Sequence, residues 1–227
     1  MDEGAQHMMK LEVFDPYRIW VTSDFHLSPE EGRCGESTIS ESERPFASCS
    51  DSNRHMVDEV CRLVPAEDAL VILGDLVSLD VTDSNVEAII AGVPKRHTWL
   101  VLGNHDANVS QSKWEDAFGS GHVGDYLEMT VAGMENDGHD GTPLRVLCLH
   151  YPMLEWAGDQ FGNVHLHGHS HNRAAYNGAQ RDVGRRVYDV GVDANGFRPV
   201  RLSDILGYMG LTGVPENPYP GEPFRVQ

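Results

Sequence analysis

No Lys/Arg-rich segment occurs anywhere in this chain, and its formal net charge is −18 over 227 residues. A basic patch is the usual footprint of nucleic-acid or anionic-membrane binding, so this balance argues against both. It does not exclude a small phosphorylated molecule, because two divalent cations in a pocket would reverse the field locally. No stretch approaches 18 apolar residues, and the N-terminus lacks the charged-then-apolar order of a secretory signal. Cysteine is sparse: Cys34, Cys49, Cys61 and Cys148 form no CxxC pair and no regular spacing, so neither a disulfide framework nor a zinc knuckle is indicated. A cytoplasmic protein with reduced thiols is expected, with Cys148 as plain core. Internal repeats and low-complexity segments are also absent.

What is present suits one domain. A chain of this length with 40% hydrophobic residues can bury a sizeable core. We expect a single domain over residues 10–212, between a disordered or expression-derived tail at 1–9 and an irregular, Pro/Gly-rich tail at 213–227. Apolar runs at 19–21, 69–73 and 98–102 read as buried strands. Helical spacing of Met56, Val57, Val60, Leu63 and Val64, capped at Asp51 or Ser52 and ended by Pro65, predicts a helix between the first two. Shorter helices are expected at 86–91 and 111–118, giving a βαβ rhythm and parallel pairing in the first half. From residue 123 the pattern changes to strands at 126–131, 144–149, 164–166 and 186–192, with a hairpin loop at 133–143 and a last helix at 203–208. The polar stretch 28–50 reads as a long surface loop.

Five short segments carry the candidate metal-binding side chains: Asp24-Phe25-His26, Gly74-Asp75, Gly103-Asn104-His105-Asp106, Leu149-His150-Tyr151 and Gly168-His169-Ser170-His171. Four follow an apolar strand-like run, which places the ligands in loops just beyond strand ends, where a rigid sheet fixes them. Carboxylate, imidazole and one amide oxygen, without thiolate, suit manganese, iron, zinc or nickel better than calcium or a closed structural zinc site. Asp24 and His26 alternate by two and can turn toward one ion; Asp75 can bridge two ions with its two oxygens.

In order and spacing, these segments resemble the pattern D-x-H, G-D, G-N-H-D/E, H, G-H-x-H of the calcineurin-like metallophosphoesterase superfamily, over about two-thirds of the chain. Arg44-Pro45-Phe46 and the run 192–200 are further similar to a smaller bacterial and phage group, although Pro29 stands where that group carries another histidine. The resemblance implies an α/β sandwich of two mixed β-sheets flanked by helices, with a dinuclear metal site at strand ends. It implies one ion held by Asp24, His26, Asp75 and His171, and a second by Asp75, Asn104, His150 and His169. His105 is then outside the ligand set and protonates the leaving group, with Asp106 orienting it through the ring's other nitrogen; Asn104 also bonds a phosphate oxygen. The implied cofactors are two divalent transition-metal ions, manganese first.

Physical logic agrees with that assignment. Two ions roughly 3.5–4 Å apart clamp phosphoryl oxygens and generate a bridging hydroxide at neutral pH. An imidazole donating to the departing alkoxide contributes roughly 10²–10⁴-fold. The expected activity is phosphoester hydrolysis, a diester ahead of a monoester, on a small phosphorylated substrate. The alternatives are a nuclease of the same superfamily, which the acidic balance disfavours, and a catalytically silent metal-binding scaffold, which would not need His105 and Asp106.

Other residues keep two readings. Arg173 and Asn172 either contact substrate or serve structure. Arg33, Arg44 and Arg54 border the long loop as phosphate ligands or structural ion pairs. Asp193 either buttresses a ligand histidine or is a turn carboxylate. His165 and His167 fall in register with His169 but read as core or as support behind the ligands. Oligomeric state is open.

Overall fold

A computed structural model describes residues 8–29, 44–137, 141–211 and 222–226. In chain order the elements are β1 (Met8–Val13), β2 (Ile19–Thr22), α1 (Cys49–Leu63), β3 (Ala69–Leu73), α2 (Val86–Ile89), β4 (Thr98–Val101), α3 (Gln111–Phe118), β5 (Val123–Gly124), β6 (Tyr126–Glu135), β7 (Pro143–Cys148), β8 (Val164–His167), α4 (Ala174–Asp182), β9 (Val187–Asp189), β10 (Val200–Arg201), α5 (Leu202–Tyr208) and β11 (Phe224–Val226).

They form two mixed sheets. One runs β11-β1-β6-β7-β8-β9 and the other β10-β2-β3-β4-β5. In the second sheet β2, β3, β4 and β5 are mutually parallel, as the βαβ rhythm requires. In the first, β7, β8 and β9 are parallel to one another while β6 and β7 make an antiparallel hairpin.

Alternation along each strand builds the layers. Ala69, Val71 and Leu73 of β3 face the space between the sheets, where they meet Leu127, Met129, Val146 and Leu166. Leu70 and Ile72 point the other way, into a second cluster with Met56 and Val60 of α1 and Trp114 and Phe118 of α3. A strand buried on both faces must be apolar throughout, which explains the uninterrupted run 69–73. Full burial of such side chains contributes about 1.5–3 kcal/mol each.

Several boundaries differ from expectation. α1 begins three or four residues earlier than a cap at Asp51 or Ser52 would place it, because Ser48 Oγ accepts the Asp51 amide at 3.0 Å. β1 starts at Met8, inside the expected N-terminal tail, and pairs in parallel with β6. Phe224–Val226, in the expected irregular tail, pairs antiparallel with β1. α4, β5 and β10 lie where no element is expected. The expectation of reduced thiols is corrected at Cys49, which is disulfide-bonded, whereas Cys61 and Cys148 are free. Most of the loop expected at 28–50, with Arg33, lies outside the described residues. Among the described residues no helix is long and apolar enough to cross a membrane.

Candidate metal centre

The carboxyl ends of β2, β3, β4, β7 and β8 meet at one end of the sandwich, and all seven expected ligands lie in the loops just beyond them. A parallel bridge between Ser23 and Gly191 ties the two sheets together there. The backbone pins the ligand loops further. The amides of Asp24 and His26 donate to the carbonyls of Gly74 and Asp75 at 3.0 Å each, and the amide of His169 donates to Asp24 Oδ1 at 3.0 Å.

Five of the expected ligands sit at positive φ: Asp24 (62°), His26 (53°), Asp75 (51°), His169 (68°) and His171 (46°). Non-glycine residues rarely occupy this region, and the cost, about 1–3 kcal/mol each, persists where the surroundings over-determine it. Here the sharp turn swings each side chain from the strand direction into the shared space. The motif glycines have a related reason. A Cβ on Gly103 would lie 2.4 Å from the Asp75 amide nitrogen, and one on Gly74, at φ 85°, 2.5 Å from His150 Nδ1.

The donor atoms converge on Asp75. Its Oδ2 lies 3.4 Å from His150 Nε2, 3.7 Å from His26 Nε2 and 3.9 Å from His105 Nε2. Two clusters share this region: Asp24, His26 and His171 on one side, and Asp75, His150 and His169 on the other, the candidate atoms within each set lying within 4.8 Å of one another. Asn104 Oδ1 is 3.1 Å from His150 Nε2. The Nε2 atoms of His26 and His171 face each other at 3.1 Å, and His26 Nδ1 is buried without a hydrogen-bond partner. Two imidazole nitrogens cannot satisfy one another unless one carries a proton; an ion at roughly 2.0–2.1 Å from each is the alternative that uses both lone pairs. The residues therefore fit divalent metal ions. His105 falls within reach of the same carboxylate, in a third possible set with His26 and Asp75.

Supporting contacts fix ring orientation. His150 Nδ1 is bonded to the Leu73 carbonyl at 2.8 Å, which aims Nε2 inward. His171 Nδ1 is bonded to Asp193 Oδ2 at 2.8 Å, so Asp193 supports the ring of His171, an expected ligand. Arg44 holds that carboxylate from behind with Nε on Oδ1 at 3.0 Å and a terminal nitrogen on Oδ2 at 2.7 Å, and it also donates to the carbonyls of Asp24 and Phe25. Arg44 is thus a structural ion pair and not a free phosphate ligand.

Asp106 differs from its implied role. Its Oδ2 accepts the amides of Asp75 and Gly103 and its Oδ1 the amide of Val77. These contacts make Asp106 a clamp between the β3 and β4 loops. His105 lies edge-on to His26, ring centroids 4.6 Å apart. Arg173 is exposed at the N-terminus of α4, two residues beyond His171. Asn172 is engaged with the buried carboxylate of Asp189 at 2.8 Å. His165 and His167 are satisfied elsewhere, the first by the Leu147 carbonyl and the Met153 amide, the second by the Gly168 carbonyl and the Tyr176 hydroxyl.

Burial raises Asp24 to about 6 against the pull of His171 and His150. Burial alone would raise Asp75 too, but its bond to His150 and the nearby imidazoles outweigh that and hold it down to about 2. Asp106 is pushed up to about 7, by burial first and then by the Asp75 charge. Burial drives His26 well below its ordinary value, whereas His150, despite burial, is lifted to about 9 by Asp75. Such divergent shifts arise where several acids and imidazoles are buried side by side.

Sequence reasoning missed Asp189, whose oxygens accept from Gly191 and Asn172. The signal was available: a carboxylate inside an otherwise apolar strand demands a partner.

The chain matches the calcineurin-like phosphoesterase family over residues 17–197. It shares its fold with the crystal structure of a protein of unknown function from Aquifex aeolicus, at 19% identity and a TM-score of 0.54, covering 87% of this chain and 97% of that one. No curated protein matches it.

Proposed function

As the chain belongs to the calcineurin-like phosphoesterase family, we propose that it hydrolyses a small phosphoester, a diester in preference to a monoester, at the cluster around Asp75. The observation that carries this reading is the position of Asp75 Oδ2 among the imidazoles of both clusters, 3.4 Å from His150 and 3.7 Å from His26. A carboxylate so placed can serve two cations at once.

In this reading Asp24, His26, Asp75 and His171 hold one divalent ion, and Asp75, Asn104, His150 and His169 the other. Bound ions supply charge neutralisation of the phosphoryl group and a nucleophile from water at neutral pH. The remaining task belongs to the chain. His105, only 9% exposed and facing the same carboxylate, donates a proton to the departing oxygen. Asp106 locks the two loops that carry Asp75 and His105. Arg173, exposed beside His171, approaches the phosphate from solvent, where its planar guanidinium suits an oxyanion. Manganese is the ion we expect, because oxygen and imidazole donors without thiolate suit it.

The test is hydrolysis of bis-p-nitrophenyl phosphate beside p-nitrophenyl phosphate, with Mn²⁺ returned to chelated protein, for wild type and Asp75→Asn. Metal-dependent release abolished by the substitution, with the diester favoured, is expected. No release from either substrate by metal-loaded protein would overturn the reading.

A further inference from the structure

Beside the short edge strand β10 lies a recess of ≈ 690 Å³, walled by Trp20, Tyr188, Arg198, Pro199, Arg201 and Tyr208. None of the residues assigned to the metal centre lines it. Its volume falls within the roughly 300–1,000 Å³ of small-molecule sites.

Charge sets this recess apart. Acids outnumber bases 35 to 17 in the chain, and eight arginines pair with carboxylates among the described residues. Arg198 and Arg201 do not, although Asp204 stands in the same wall. Glu59, the acid whose carboxyl responds to Arg198, is already held by two nitrogens of Arg62. In so acidic a protein, two arginines that line one recess without carboxylate partners are available to an external anion.

Their setting also points to a ligand. Arg201 lies over the Trp20 ring, 4.6 Å from its centroid, and Trp20 is itself fixed by Nε1 donating to Asp68 at 3.2 Å. A guanidinium held over an indole face is restrained in position, and with no carboxylate partner its N–H groups can serve bidentate binding of an oxyanion. Tyr208 meets Tyr188 edge-on at 5.8 Å, and the Tyr188 hydroxyl donates to Asn195 at 2.9 Å. These rings and Pro199 offer rigid apolar walls, and Asp204 an acceptor for hydroxyl groups.

We propose that this recess binds a small phosphate ester bearing a sugar and a planar ring, of the nucleoside monophosphate class. Arg198 and Arg201 take the phosphate, Asp204 the sugar hydroxyls, and the tyrosines with Pro199 the ring. The site needs no metal and stands independently of the hydrolytic centre.

The experiment is calorimetric titration of the full-length chain, in chelator, with AMP, adenosine and inorganic phosphate as separate probes. One AMP per chain is expected, with adenosine and phosphate each weaker by roughly tenfold or more, about one charge-assisted contact. Arg198→Ala and Arg201→Ala should each weaken AMP by about tenfold, and Arg201→Lys, which keeps the charge but not the planar fork, should also weaken it. Asp75→Asn should leave AMP binding unchanged, so failure of the hydrolytic reading and failure of this one are distinguishable. Absence of AMP binding at about millimolar concentration, equal affinity for bare phosphate, or indifference to the double arginine variant would each overturn the proposal.

Discussion

Asp193 Oδ2 and His171 Nδ1 lie 2.8 Å apart, joining the loop after β9 to the last expected ligand. His171 and Arg44 together outweigh the effect of burial and hold the Asp193 carboxyl well below the usual carboxylate range. The pair acts as an ionic splint: Arg44 fixes Asp193, Asp193 fixes the ring, and the ring's Nε2 is left aimed at Asp24 and His26. Replacing Asp193 by Asn keeps the shape but removes the negative charge that Arg44 and His171 share. Supports of this kind typically contribute about 10–100-fold in metal affinity. Competition of Mn²⁺ against a chelating dye should show that loss in Asp193→Asn, and unchanged affinity would remove the positioning role.

His105 is expected to act on the leaving group and not on metal retention. His105→Ala should keep its metal while turnover of an alkyl phosphodiester falls by about 10²–10⁴-fold. With a p-nitrophenyl leaving group, which departs without needing a proton, the loss should be much smaller. Loss of metal together with activity would instead place His105 among the ligands, with His26 and Asp75.

Gly103 lies against Asp75 so closely that a methyl group has no room: its Cβ would meet Asp75 Oδ1 at 2.2 Å and the amide nitrogen at 2.4 Å. Neither atom belongs to a flexible side-chain end, since Oδ1 is held by the His105 amide at 2.9 Å. Gly103→Ala should cost about 1–3 kcal/mol, as overpacking usually does, and should weaken metal binding as well. Urea unfolding of the variant within experimental error of wild type would contradict this account.

His165 gives a stability prediction away from the metal centre. Burial is the main cause that lowers it from 6.5 to about 4. The unfolded chain therefore binds a proton at higher pH than the folded one does. Stability contributed by the neutral ring is complete above about 6.5, declines as pH falls toward about 4, and is flat below that. The span corresponds to up to about 3 kcal/mol. Denaturant midpoints for wild type and His165→Gln between pH 7.5 and 4 should converge as pH falls; parallel curves would refute the burial argument.

Metal should stabilise without being required for folding, because the two largest hydrophobic clusters close without any ligand residue. Saturation at about 100 times Kd corresponds to roughly 2.7 kcal/mol. A rise in Tm on adding Mn²⁺ to chelated protein, reduced in Asp75→Asn, is expected from thermal scans followed by circular dichroism. An identical rise in both proteins would show that the cation acts elsewhere.

How much was legible in the sequence depended on the range of the forces involved. The continuous apolar run of β3 and the helical spacing of α3 carry their own signal over consecutive residues, and both elements form where that signal places them. β5 and β10, two residues each, have too few residues for any period to show. β1 and β11, near opposite ends of the chain, are strands because they pair with each other, β1 pairing on its other side with β6. Their pairing is a tertiary fact, as strand propensity generally is.

The same division holds at the candidate centre. By itself the sequence determined the chemistry: carboxylate, imidazole and amide donors, each just past a strand, so that any fold bringing strand ends together would gather them. Only the tertiary structure decided the rest. The left-handed turns at Asp24, His26, Asp75, His169 and His171 aim the ligands, and Asp106 bonds three amides. Arg44 meets Asp193 across 149 positions. Donor type is a property of each residue, but orientation arises from contacts between segments far apart in the chain, and no local pattern encodes these.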